Sequence, residues 1–383
     1  MDSSFSEADY RYMRQAISLA KKGFYSTKPN PSVGCVLVKD DKVVGEGWHQ
    51  KAGQPHAERV ALADAQEQAL GSTAYVTLEP CSHYGRTPPC ADGLIEAGVA
   101  RVVVAMQDPN PLVAGQGILK IQQASIAVQV GLLETEARAL NRGFIRRMES
   151  QKPFVSLKMA SSLDGRTAMP SGESKWITGP ESRQEVHRLR AASGAIITGI
   201  GTVLADDPSL TVRLSDDQLA EMNLETDDCH PLRVVLDANL SMPVDAKMLS
   251  APGRTLLMTR KEVVERDPGL VDALMASGAE LVAVAANNDH LDISSILEYL
   301  VKEESINDVL VESGALVAGS FMQSGFVNEL HCYMAPILMG DSAKPMFVLP
   351  GLESMENKLM FDIDSISQFG DDIRLILTPK PQV

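Results

Sequence analysis

The chain reads as an α/β protein of two domains, and three observations point there. Its 383 residues are long for one hydrophobic core and comfortable for two. Short apolar runs alternate with helix-period segments over the first 150 residues. The alternation restarts after a polar stretch, Arg146 to Pro153, that ends in proline and reads as a linker. Domains 1–150 and 151–383 are therefore expected, with no internal repeat, heptad run or low-complexity segment.

In the first domain, Met13, Ala16, Ile17, Ala20 and Phe24 fall on one helical stripe. "VGCVLVKDDKVVGEGWH" predicts a hairpin turning at Asp40–Asp41. A helix after His56, the strand "AYVTL", a helix after Cys90, the strand "RVVVAM" and a helix ending near Arg147 follow. Strands separated by such helices imply a sheet covered on both faces. In the second domain "FVSLKMA", "GAIITG", "LRVVLD", "RTLLMT", "LVAVAA", "DVLVES" and "NELHCYMAPIL" read as strands. Thr178 with Glu181 three residues on forms a capping-box pattern, and Pro180 suits the first helical turn.

The totals narrow the function. A formal charge of −15 argues against a nucleic-acid coat or a membrane-surface protein, which need clustered Lys and Arg. It allows an anionic small substrate wherever a few arginines converge. The N-terminus is acidic where a signal peptide is basic, and no apolar run approaches the roughly 20 residues of a membrane span. Five scattered cysteines are no disulfide framework, so a cytoplasmic compartment is expected.

Two of those cysteines carry chemistry. In "LEPCSHYGRTPPC" Cys81 and Cys90 each follow a proline, and upstream "PHAERVALADAQ" places His56 and Glu58 two apart at a helix start. One imidazole and two thiolates are three of zinc's four tetrahedral ligands, leaving a position open for water. Helix N-termini nearby favour thiolate. Glu58 is then left to move protons between water and substrate. A structural zinc site would need a fourth protein ligand, for which His83 is the nearest candidate; it is expected to face substrate or solvent instead. Asn30, between prolines in "KPNPSVGC", is either a turn residue or a hydrogen-bond partner for a base or ribose. His49 and Lys51 lie either on a surface loop or within reach of a phosphate.

The second half offers two strand–glycine–helix junctions. "GAIITGIGTVLADDPSLTVR" runs from a buried strand through Gly199 and Gly201 to Thr202, the pair Asp206–Asp207 and Arg213. "DVLVESGALVAGSF" opens a helix at Gly314 with Gly319 inside it. Glycines let backbone N–H groups approach a phosphate, and a helix start suits a pyrophosphate. The Gly-x-Gly lacks the third glycine of a Rossmann fingerprint. Two such junctions on strands close in one sheet favour a dinucleotide over an unliganded helix start. Arg190 and Arg213 are the candidates for holding an anionic group.

"HAE" with "PC" matches the His-x-Glu…Pro-Cys signature of nucleobase deaminases, but eight residues separate the cysteines instead of two. The longer loop resembles the riboflavin-pathway branch of that family. "SLDGRTA", "GESKWIT" and "GTVLADDPSLTVR" resemble the pyrimidine reductase of the same pathway. Together, in this order, they make the chain similar to the bifunctional deaminase–reductase family of riboflavin biosynthesis over essentially its whole length. The resemblance implies a cytidine-deaminase-like three-layer α/β/α domain followed by a dihydrofolate-reductase-like α/β domain. It implies one zinc ion on His56, Cys81 and Cys90, with Glu58 as proton shuttle, and NADPH as the second cofactor. The implied cofactor contacts are Ala160, Trp176, Thr178, Thr202, Asp206 and the turn Gly314, Ala315, Leu316, Val317, Ala318, Gly319 and Ser320. The implied substrate contacts are Lys158, Ser174, Arg190, Leu210, Arg213 and Glu312. Either Lys158 or Asp206 supplies the proton that reduction of an imine requires; the sequence does not choose. The implied partner is a small phosphorylated pyrimidine, with no nucleic acid or membrane and room for a homo-oligomer. Two rival readings, a polynucleotide deaminase and a non-catalytic zinc-stabilised binding protein, would need a basic face or silence in both assays.

Overall fold

The computed structural model describes residues 5–84, 88–111, 113–287 and 290–381. The chain divides into two compact units, Met1–Lys152 with Asp216–Glu225, and Pro153–Ser215 with Thr226–Val383. The first unit thus takes in a short segment from the second half of the sequence.

The first unit runs α1 (Glu7–Lys21), β1 (Gly34–Lys39), β2 (Lys42–Trp48), α2 (Ala57–Ala65), β3 (Thr73–Val76), α3 (Cys90–Glu96), β4 (Arg101–Val104), α4 (Gln116–Gln123), β5 (Ala127–Val130), α5 (Glu134–Leu140) and α6 (Arg142–Ser150). Its sheet has the order β2-β1-β3-β4-β5. The expected hairpin forms, with Asp40 and Asp41 at φ 49° and 58°, the left-handed pair that a tight primed turn requires. Because side chains alternate along a strand, β1 sends Val36 and Val38 to one face and Cys35 and Leu37 to the other. Met13, Ala16 and Ile17 of α1, with Ala137 and Ile145, cover the first face. Ala57, Ala61 and Ala65 of α2, Ala91 and Leu94 of α3, and Ile121 of α4 cover the second. The result is the three-layer sandwich.

Two expectations for this unit change. The single helix expected to end near Arg147 is three helices and an edge strand, β5, whose half-exposed "AVQV" is too short and mixed to stand out. Residues 146–150, read as linker, finish α6, because Arg, Met and Glu are good helix formers however polar the run. Phe24 lies beyond the end of α1.

The second unit is built on a nine-stranded sheet. Its strands are β6 (Phe154–Ser162), β8 (Ala195–Gly199), β9 (Leu232–Leu236), β10 (Thr255–Arg260), β11 (Ala279–Val284), β14 (Asp308–Glu312), β15 (Glu329–Ala335), β17 (Phe361–Phe369) and β18 (Asp372–Pro379). The order is β11-β10-β9-β8-β14-β6-β15-β18-β17, parallel except where β18 meets β15 and β17. Short ribbons pair β7 (Arg166–Ala168) with β16 (Lys344–Pro345), and β12 (Ala286–Asn287) with β13 (His290–Leu291). The helices are α7 (Pro180–Ala192), α8 (Ile200–Asp206), α10 (Lys247–Ser250), α11 (Lys261–Arg266), α12 (Pro268–Ala276), α13 (Ile293–Lys302) and α14 (Ala315–Gln323), while α9 (Asp216–Glu221) groups with the first unit. The closing hairpin β17–β18 is absent from the sequence reading, since its residues alternate weakly and are mostly half-buried or exposed.

The cap of α7 also differs from expectation. Gly179, not Thr178, occupies the N-cap, with no side-chain cap of its own. The carboxylate of Asp372, on β18, accepts hydrogen bonds from the Gly179 N–H (2.7 Å) and the Ser182 hydroxyl (2.6 Å). A distant strand has replaced the local capping box. No helix among the described residues is long and apolar enough to cross a membrane.

Candidate metal centre and anion-binding face

The trio of ligands assembles from two consecutive strand-to-helix passages. His56 is the N-cap of α2 and Cys90 the first residue of α3, each held at a helix entry by the local chain path. Cys81 sits in the loop after β3. His56 Nδ1 lies 3.6 Å from Cys81 Sγ and 3.4 Å from Cys90 Sγ. All three ligand atoms stand within 4.8 Å of one another, the only such group among the described residues. His83 is exposed and outside it.

The charges suit a cation. Cys81 is pulled down to about 4 by the Cys90 thiol, the His56 ring and the Cys90 backbone N–H, which donates to its sulfur at 3.3 Å. Cys90 is pushed up, first by the Cys81 sulfur and then by burial. Glu58 is buried in the first turn of α2 and pushed up to about 7, first by burial and then by the Cys81 thiolate. A divalent ion reverses that logic by deprotonating the thiols. Two sulfurs and an imidazole, with no fourth protein donor among the described residues, fit zinc in an open site.

His49 takes a place that its expected phosphate role does not fit. Its ring is buried, donates through Nδ1 to the Pro55 carbonyl (3.1 Å) and accepts at Nε2 from the Asn30 amide (3.1 Å). Burial holds it below the usual histidine range, and both ring nitrogens already have partners. It stacks edge-on to His56 at 5.3 Å between centroids. Lys51 lies on the exposed turn that follows.

In the second unit some of the expected residues share one face of the sheet. Leu157 and Met159 of β6 point into the core with Leu330 and Cys332. The alternate residue, Lys158, belongs to the opposite face, in register with Glu312 of β14 on one side and His331 of β15 on the other. Arg190, near the end of α7, meets Glu312 through Nε–Oε1 (2.6 Å) and Nη2–Oε2 (3.0 Å) and donates through Nη1 to the Thr211 carbonyl (3.0 Å). The fork expected to hold a phosphate is thus occupied by a buried carboxylate. Burial would raise Glu312, but Arg190 outweighs it and the carboxyl is lowered. Burial, with Arg190 adding to it, lowers Lys158. Arg213 is exposed, one N–H on the Ser209 hydroxyl at 3.4 Å.

The two glycine junctions are neighbours, as expected. β8 and β14 pair in parallel, so α8 and α14 start side by side, and the Gly314 N–H donates to Thr202 Oγ1 at 3.1 Å. Gly314, Leu316 and Ser320 face outward, as does Trp176, under the Arg183 guanidinium at 4.5 Å. Asp206 accepts from the Ser174 hydroxyl (3.2 Å). Thr178 offers its carbonyl to Arg183, and Ala160 is half-buried on the Lys158 face. Four residues pack wholly or partly into the core. Ala318 is in the core, and a Cβ on Gly319 would come within 1.9 Å of the Val348 carbonyl, so both serve packing, because a helix after a strand must turn one side inward. Leu210 also packs into the core, at φ 49°. Val317 is part-buried against the same core as Ala318. Open space over Gly201 and the exposed apolar Trp176 and Leu316 fit a large, flat cofactor.

Fold and site together define a zinc-binding deaminase module joined to a reductase-type α/β domain. The model of the cytidine and deoxycytidylate deaminase zinc-binding region matches residues 6–106, and that of the RibD C-terminal domain matches residues 153–375. The chain is 47% identical to riboflavin biosynthesis protein RibD of Escherichia coli strain K12, over 96% of this chain and 99% of that protein. The Acinetobacter baumannii RibD structure (form 1) superposes with a TM-score of 0.88 at 48% identity, covering 98% of this chain and 99% of that one. A Thermotoga maritima structure described as a diaminohydroxyphosphoribosylaminopyrimidine deaminase/5-amino-6-(5-phosphoribosylamino)uracil reductase gives 0.82 at 33% identity, over 97% and 99%. The chain belongs to the RibD family, and the fold class expected from the sequence holds for both parts.

Proposed function

We propose that the first unit hydrolyses an amine from 2,5-diamino-6-(5-phosphoribosylamino)pyrimidin-4(3H)-one, and that the second reduces the ribosyl side chain of the product to give 5-amino-6-(5-phosphoribitylamino)uracil. The observation that carries this is the His56–Cys81–Cys90 trio beside a buried carboxyl, Glu58. When bound there, zinc supplies the Lewis acidity that makes water a competent nucleophile near neutral pH. Glu58, buried in the first turn of α2, takes a proton from the attacking water and passes one to the departing ammonia. In this reading Asn30, whose amide donates to His49, keeps the role of a hydrogen-bond partner for the ring or ribose.

When bound in the second unit, NADPH supplies the hydride. The starts of α8 and α14, with Thr202, are suited to its pyrophosphate, and Trp176 to a flat ring. Lys158 is the better proton donor for the imine nitrogen. It stands mid-row on the polar face with a lowered pKa, whereas Asp206 is engaged by Ser174. Arg213 is left for the substrate phosphate, and the Arg190–Glu312 pair frames it. A cytoplasmic setting goes with this reading, and all five cysteines are free thiols.

The test is an assay of the zinc-loaded chain with the diaminopyrimidine phosphate, with and without NADPH. Ammonia should appear without NADPH, and NADPH should be oxidised only once deamination has begun. In Glu58→Gln, zinc should be retained while ammonia release drops by about 10²–10⁴-fold. Silence of the wild-type chain in both assays removes the reading.

A further inference from the structure

The residue before the Pro80–Cys81 step is a buried carboxylate whose partners, among the described residues, are all backbone amides. Glu79 Oε1 accepts from the N–H groups of Gly117 (2.9 Å) and Ile118 (3.2 Å), and Oε2 from those of Asp108 (3.1 Å) and Gly115 (2.9 Å). Its own N–H donates to the Met106 carbonyl at 3.0 Å. One residue therefore ties the metal-ligand loop to the chain just after β4 through its backbone, and to Asp108, Gly115 and the start of α4 through its side chain.

The contact is close as well as polar. A Cβ at Gly117 would stand 1.9 Å from the Pro80 carbonyl oxygen, so α4 rests directly on the peptide that leads into Cys81. On the far side of Cys81, its carbonyl accepts from Ala91 N–H at 3.1 Å and its sulfur from Cys90 N–H. The ligand is thus pinned from both directions. A buried anion held by several N–H donors keeps its geometry, because each donor it gave up would leave a buried charge less well solvated.

We propose that Glu79 is a positioning residue for the metal centre: its carboxylate locks Cys81, the Asp108 and Gly115 amides and the start of α4 into one preformed piece, so that the ligand atoms stand together before the metal arrives. The proposal rests on reading the trio as a metal site. Glutamine at 79 keeps the shape but offers one acceptor oxygen and turns an NH₂ toward backbone donors, so the clasp opens on one side.

The test is zinc affinity of the full chain, measured by competition with a chromophoric chelator, with no turnover involved. Glu79→Gln should bind zinc roughly 10–100-fold more weakly, the usual loss when an outer partner of a ligand is removed. Glu79→Asp, which keeps the charge and loses reach, should fall between, and it serves if the glutamine variant does not fold. Asp9→Asn, which weakens the same unit away from the metal, separates positioning from general destabilisation and should bind as the wild type does. Wild-type affinity in both Glu79 variants, or equal weakening in Asp9→Asn, overturns the proposal. Failure of the wild type to bind zinc would instead bring down the metal-site reading itself.

Discussion

The two units build their functional ends in opposite ways. The first concentrates everything at a point: three ligand atoms within 4.8 Å, contributed by residues 56 to 90. The second spreads its polar groups along a sheet face, from Lys158 on β6 to Glu312 on β14, with Arg190 arriving from a helix. A point site rests on the chain path of two short turns. A spread site rests on strand register and on charges that neutralise one another. The lesson is that the first should fail completely on one change, and the second by degrees.

The largest effect expected is therefore from Cys90→Ser. Zinc affinity should fall by more than the roughly 10–100-fold typical of an outer partner, and ammonia release should vanish. NADPH oxidation on the deaminated intermediate should stay at the wild-type rate. Its loss would mean that the second unit leans on the first. Next is Glu312→Gln, which leaves Arg190 and Lys158 facing each other without their carboxylate. Removing one partner of a buried pair costs about 3–5 kcal/mol, so urea unfolding followed within the second unit should shift accordingly, with zinc affinity unchanged. An unchanged midpoint would deny the spread site its electrostatic basis.

The smallest effect expected concerns the scaffold under the point site. Asp9 caps α1, accepts from the Tyr75 hydroxyl at 2.7 Å, and pairs with Arg101 on β4 at 2.7 Å. Burial would raise its carboxyl, yet Arg101, Ser6 and Tyr75 together hold it well below the usual range. A group depressed in the folded state adds stability that is full above its unfolded pKa, about 4, and fades as the pH falls below that. Wild type should lose about 2 kcal/mol more than Asp9→Asn as the first unit is taken to acid, read by denaturant midpoints across pH. Parallel pH profiles would show the pair to be neutral.

What the sequence made legible follows the same division. His56, Glu58, Cys81 and Cys90 stood out because their residue types are rare in that spacing and their positions abut helix starts. The neighbouring glycine junctions were legible because strand and helix periods meet there. Glu79 was not, since a glutamate bonded only to amides has no partner residue to find; Gly115 and Gly117 at the start of α4 were the one trace of it. Arg233 is its mirror in the second unit, a fully buried cation lowered to about 10 by burial, held by the carbonyls of Ala251, Pro252 and Gly253 and by Thr255. Backbone solvation leaves no pattern in the letters. His49 was hard to read for the opposite reason: nothing in the letters tells that it is buried with neighbours on both nitrogens.

The bond from Asp372 to the start of α7 has a bearing on how the molecule comes to life. Ser182 and its carboxylate partner are 190 residues apart, with most of the second unit's strands in between. A growing chain leaving the ribosome exposes the helix of Arg190 early and its anchor late. Until that strand emerges, the guanidinium has a partner on β14 but no fixed helix to present it. The first unit has all its residues once Glu225 has emerged, with most of the second unit's strands still to be made.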